Sequence, residues 1–138
     1  MKWLIVLLFS VFTVAANAAT TAEKLTILSL DKEVRCDSPE VRRTQAAFDR
    51  NATVCTFDNE DKLANAVWYV TKKIRSEGYY AESTDIIEGL NAILLGAKEK
   101  VDCTEILSEY AVTRMDGKTH SDAIVGARGL YRAMGIVQ

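Results

Sequence analysis

The chain opens on an apolar run from Trp3 to Leu8, little diluted as far as Ala16, and only afterwards do polar residues begin to alternate with apolar ones. Lys2 precedes the run, and Ala16-Asn17-Ala18 supplies a small-x-small step. Together these predict a secretory signal peptide over residues 1–18, cleaved before Ala19. The apolar core is shorter than the ~20 residues needed to span a bilayer. No cysteine follows the cleavage step, so nothing suggests a lipid-modified amino terminus. The expected product is a periplasmic or secreted protein without a stable membrane anchor, its single domain covering residues 19–138.

Beyond the leader the pattern is helical. Residues 19–24 read as a loose lead-in, and 25–34 are ambiguous between helix and strand, with helix preferred. Ser38-Pro39 is a start signal, because a capping oxygen precedes a residue whose missing N–H costs nothing in the first turn. That helix extends to about Arg50, with Asn51 able to take a left-handed stop, and 52–57 (ATVCTF) read as a short extended connector. Asp58 or Asn59 caps a long helix through Ser76, closed by Gly78. Leu63, Val67, Val70 and Ile74 form its core-facing stripe. A helix over 81–95 turns Ile86, Ile87, Leu90, Ile93 and Leu94 inward and ends at Gly96. Asp102 and Glu105 form an acidic capping box for a helix over 103–115, with Ile106, Leu107, Tyr110 and Ala111 on its apolar face and Gly117 at its end. Thr119 caps the last helix, 120–134, stopped by Gly135. Strand-type alternation is missing beyond 52–57, and one proline, Pro39, gives long helices little resistance. The expected fold is all-α, a small domain of five or six helices with short connections.

Charge narrows the range of partners. The chain has 17 basic and 19 acidic side chains, and Lys2 is the leader's only charge, which leaves residues 19–138 at −3. A nucleic-acid partner wants a clustered basic surface, which this sequence lacks. A domain of this size buries about two-thirds of its unfolded surface and folds without needing disulfides.

Three cysteines in an exported chain leave one thiol over. Cys55 and Cys103 each lie just before a core helix among apolar neighbours, whereas Cys36 sits between Arg35 and Asp37. Environment and reach favour a Cys55–Cys103 bridge over Cys36–Cys103 and leave Cys36 as a free thiol or an intermolecular link. Such a loop contributes roughly 4 kcal/mol on the chain-entropy model.

Other constellations reduce to structural readings. His120, Ser121 and Asp122 contain triad residue types, but adjacent residues at a helix start point in different directions, and capping by Thr119 or Ser121 explains the segment. One histidine and bridged thiols leave too few soft ligands for a transition metal. Asp58-Asn59-Glu60-Asp61 lacks the turn glycine and distal glutamate of a calcium loop. Gly126-Ala127-Arg128-Gly129 lies inside a helical pattern rather than after a strand, so small residues there read as letting the last helix approach a neighbour; Arg128 and Arg132 offer at most an anion contact. Asn51-Ala52-Thr53 is a glycosylation sequon, relevant only in a eukaryotic secretory pathway.

Trp68 and Tyr69 fall roughly 130° to either side of the Leu63 stripe at 100° per residue. Either the helix is central and surrounded, or one of these aromatics is exposed to a partner; the central helix is preferred. Tyr79 and Tyr80 extend the same surface. Trp68, Tyr69, Tyr79 and Tyr80 are therefore the candidate partner-binding residues, because Trp and Tyr dominate interface hot spots. No nucleophile–base pair, metal cluster or cofactor loop appears, so no catalytic, cofactor or metal residue is assigned and a non-enzymatic protein is expected. The expected function is protein–protein binding of the inhibitor, toxin-immunity, adaptor or chaperone type, with another envelope or secreted protein as partner and a homodimer as a further option. The alternatives are a carrier of a small apolar ligand between helices and a thiol activity at Cys36.

Overall fold

The computed structural model describes residues 18–138; the leader expected over 1–18 lies almost entirely outside them. Six helices follow in order: α1 (Thr21–Leu30), α2 (Pro39–Asn51), α3 (Glu60–Ser76), α4 (Ser83–Ile93), α5 (Cys103–Met115) and α6 (His120–Ala133). Connections of four to nine residues join them. The only strand-like feature among the described residues is an isolated parallel bridge between Cys55 and Val101.

Local chemistry sets most ends. Ser38, Asn59, Asp102 and Thr119 each accept a bond from a backbone N–H of the first turn. Asp102 accepts from Thr104 rather than from Glu105. Gly78 and Gly117 close α3 and α5 with φ of 85° and 88°. The residue after each bonds back across the last turn, Tyr79 N–H to Ile74 and Lys118 N–H to Thr113, the Schellman arrangement that favours glycine.

Two expectations about ends are corrected. Residues 19–24 are no loose lead-in: the Thr20 hydroxyl accepts from the Glu23 N–H at 3.2 Å, so helix begins at Thr21. Asn51 does not take a left-handed stop. It is the last helical residue of α2, and the one non-glycine with positive φ among the described residues is Asp31, at 51°, ending α1.

The helix at the centre is α4, not α3. It packs against all five others, while α3 packs on α1, α4 and α5. The reason is distribution rather than length. Eight of the eleven residues of α4 are buried, including Thr84, Gly89 and Asn91 on faces away from its aliphatic stripe. By contrast α3 keeps Asn65, Lys72 and Ser76 exposed opposite its stripe. Ile86, Ile87, Leu90 and Ile93 fill the middle with Phe48, Val67, Ile74, Ile106 and Tyr110.

A polar seam runs through the interior. The Thr44 hydroxyl lies 2.8 Å from that of Thr26 and 2.7 Å from that of Thr84, tying α1, α2 and α4. Thr71 and Ser83 hydroxyls meet at 2.8 Å, and Ser29 accepts from the Ser83 N–H. Asn51 donates to Asn91 at 3.0 Å, and Asn91 donates to the Ala47 carbonyl. No buried side-chain polar atom among the described residues lacks a partner, which keeps the desolvation cost of this seam small. Asn51 is 1% exposed, so a glycan on the sequon is sterically incompatible with the folded domain.

Cys55 and Cys103 form the disulfide, with Cα atoms 5.5 Å apart. Two backbone bonds, Thr56 N–H to Val101 and Val101 N–H to Val54, align the two segments beside it. Cys36 is exposed and unpaired. Among the described residues no helix is long and apolar enough to cross a membrane. Together with the disulfide this is compatible with a non-membrane, oxidising compartment.

Candidate functional site

The four aromatics singled out in the sequence do not form one patch. Trp68 and Tyr69 leave α3 on opposite flanks. Trp68 is half-buried toward α1, beside Ile27 and Leu28. The Lys72 ammonium lies 5.6 Å and the Arg75 guanidinium 5.8 Å from its ring centroid. Arg75 is itself fixed, donating to the Ala81 carbonyl at 2.9 Å and the Ser29 carbonyl at 2.6 Å. Trp68 thus covers the junction of α1, α3 and the turn into α4, which is a packing role.

Tyr69 faces the other way and is 59% exposed. It stands at the rim of a groove of about 420 Å³ between α3 and α5. Val70 and Leu107 lie toward its floor, Ala66, Ala111 and Met115 line it, and Val112, 55% exposed, faces Tyr69 from α5. Lys73 and Glu77 edge it from α3, Thr104 and Ser108 from α5. The Lys73 ammonium lies 5.8 Å from the Tyr69 ring. The stripe arithmetic placed Tyr69 off the core, but Val112 carried no signal, because an apolar residue beside a core stripe is ordinary in a helix.

Tyr79 and Tyr80 lie past the end of α3. The Tyr79 hydroxyl covers Gly117, where an added Cβ would meet it at 3.1 Å. Tyr80 is 69% exposed. Its phenol is pushed up to about 12, chiefly by the Glu82 carboxylate, and its carbonyl accepts a bond from Arg114.

Arg114 centres a network that sequence reasoning missed. It is 7% exposed and also donates to the Lys118 carbonyl at 3.1 Å and the Tyr110 hydroxyl at 2.8 Å. The same hydroxyl lies 2.7 Å from Nδ1 of His120. The His120 ring stands edge-on to that of Tyr110, with centroids 5.7 Å apart. Burial pulls its pKa below the ordinary value; Arg114 reinforces this, and Asp85 and Glu88 oppose it. Thr119 does cap α6, accepting from the Asp122 N–H at 3.1 Å, while Ser121 and Asp122 are exposed, so the three residue types form no relay.

The remaining features resolve individually. Cys36 lies in a surface hollow with Thr20, Glu23, Val34 and Asp37; the sole histidine of the sequence is engaged with Tyr110. Arg128 is no free anion contact: it donates to the carbonyls of Ala92, Ile93 and Leu95 at 2.9–3.1 Å, closing the end of α4. Of the small residues in that stretch of α6, Ala127 is buried, but the two glycines let no neighbour in, since a Cβ at Gly126 or Gly129 would meet nothing within 4 Å. The close approach between α4 and α6 is made by Gly89, where a Cβ would meet His120 Cε1 at 3.2 Å. Gly126 and Gly129 each cost α6 up to about 1 kcal/mol relative to alanine with no return inside the domain. No cluster of three or more metal-ligating side chains occurs among the described residues. Comparison of the chain with protein-family models, with curated proteins and with solved structures gives no match.

Proposed function

We propose that this protein is exported and acts by binding another protein, and that the α3/α5 groove takes an amphipathic helix of that partner. The observation that carries the reading is Tyr69, a large aromatic held 59% exposed on a rigid helix above an apolar floor. Helix-in-groove recognition uses such a surface, with apolar anchors filling the trough and rim aromatics closing over them. Lys73 and Glu77 on one lip supply the polar rim that orients a partner without carrying most of its affinity.

A small-ligand carrier is the competing reading. Carriers usually cover most of a ligand's surface, whereas the groove is open along one side. The more enclosed hollow under α1 is only about 100 Å³ and is lined by Thr26, Ser29, Thr44 and Thr84, which suits water better than an apolar molecule. The test is a photoreactive side chain at position 112 in the native host, compared with one at Lys98. Capture of one protein from position 112 alone, abolished by Tyr69→Ala, is expected. A groove occupied by an apolar small molecule in native mass spectrometry, with no protein captured, would replace this reading with the carrier.

A further inference from the structure

We infer that the outer face of α6 is a homodimer surface, on which a second copy of this chain packs its own α6 antiparallel. The face is apolar and unpartnered: Val125 is 68% and Leu130 45% exposed. Between them lie Gly126, Gly129 and Ala133, and beyond the adjoining residues and backbone of α6 itself no atom comes within 4 Å of a Cβ built on either glycine. Mid-helix glycine weakens a helix, and nothing within the domain requires it at these two positions. Close approach of a second backbone does.

What selects a second copy is self-complementarity of shape and charge. A two-fold axis between positions 127 and 128 pairs each residue with the one whose number brings the sum to 255. Gly126 then lies opposite Gly129 of the other copy, and Asp122 lies opposite Ala133 and beside Arg132. At 100° per residue, Val125 and Leu130 stand roughly 70° to either side of the glycine seam and flank the contact. Asp122 and Arg132 enter no ion pair among the described residues, and the antiparallel arrangement gives each one opposite charge, making two such pairs per dimer. A parallel pair would set Asp122 against Asp122 and Arg132 against Arg132, and would align the two helix dipoles unfavourably. One helix pair buries less than the ~1,600 Å² of a standard interface, so the dimer is a weak one that forms with rising concentration. The surface is separate from the α3/α5 groove, which no residue of α6 lines.

The test is sedimentation of the full exported chain over a concentration series, in a Cys36→Ser background so that no intermolecular disulfide intervenes. A reversible monomer–dimer equilibrium is expected. Gly129→Gln should weaken it at least tenfold while raising the midpoint of denaturation of the monomer, the signature of a glycine kept for association rather than for folding. Asp122→Lys and Arg132→Asp should each reduce self-association, and a mixture of the two should form a heterodimer, because both cross-copy charge pairs are then restored. A chain that stays monomeric throughout, a dimer indifferent to Gly129→Gln, or a mixture that fails to recover association would overturn the assignment.

Discussion

Removing the two aromatic flanks of α3 one at a time separates packing from recognition. Trp68 is partly buried against α1, so its indole keeps roughly 150 Å² from water, within the range typical of buried aromatics. At about 25 cal/mol per Å² that is ~4 kcal/mol, and allowing for a compact unfolded state reduces it to ~3 kcal/mol. The Lys72 and Arg75 contacts add less than about 1 kcal/mol at so solvated a site. Trp68→Ala is therefore expected to cost about 3 kcal/mol, toward the lower end of large-aromatic truncations. Tyr69→Ala, by contrast, removes a ring that is 59% exposed and should change stability by no more than about 1 kcal/mol. Urea melts at low protein concentration measure both; with a slope of about 1–1.5 kcal/mol/M, the Trp68 variant should lose ~2 M of midpoint. A Trp68→Ala protein within about 1 kcal/mol of the parent, or a Tyr69→Ala protein as destabilised as the Trp68 variant, would refute the assignment of the two flanks.

Three further outcomes follow from the interior. Cys55→Ala with Cys103→Ala opens a loop of sequence separation 48, which chain entropy values at about 4 kcal/mol; equilibrium unfolding of the oxidised parent against the double variant reads it. Thr44→Val keeps shape but leaves the Thr84 hydroxyl unpartnered, costing about 1–3 kcal/mol, whereas valine at 26, 44 and 84 together should recover much of that loss. His120 has a folded pKa below its unfolded value near 6.5, so the unfolded state binds the proton first. Stability is then full above that unfolded value and falls as pH drops from it toward the folded pKa. Melts between about pH 7.5 and 5.5 should show this decline, and His120→Gln should flatten it.

Local sequence settled whatever depends on a few adjacent residues. Ser38-Pro39, Asn59, Asp102 and Thr119 start helices because a short polar side chain reaches the first free N–H groups from one position. Gly78, Gly96, Gly117 and Gly135 all take positive φ after helices, as their places after apolar stripes implied. The Cys55–Cys103 pairing was legible too, from cysteines just before core helices. The leading α1 was harder, because its apolar residues fall on more than one face: Leu25 is buried while Leu28 is 48% exposed.

Tertiary packing decided the rest. Nothing in the spacing of α4 announces that Thr84, Gly89 and Asn91 are interior, since polar residues become buried only when hydroxyls and amides on other helices meet them. That choice made α4 the central helix and left α3 a free flank, which in turn separated Trp68 from Tyr69. The same holds for Arg128, three of whose carbonyl partners lie more than thirty residues away, and for the glycines of α6, whose empty surroundings appear only once every other helix is in place. Periodicity reports how much of a helix is covered; which neighbour covers it is a property of the assembled chain.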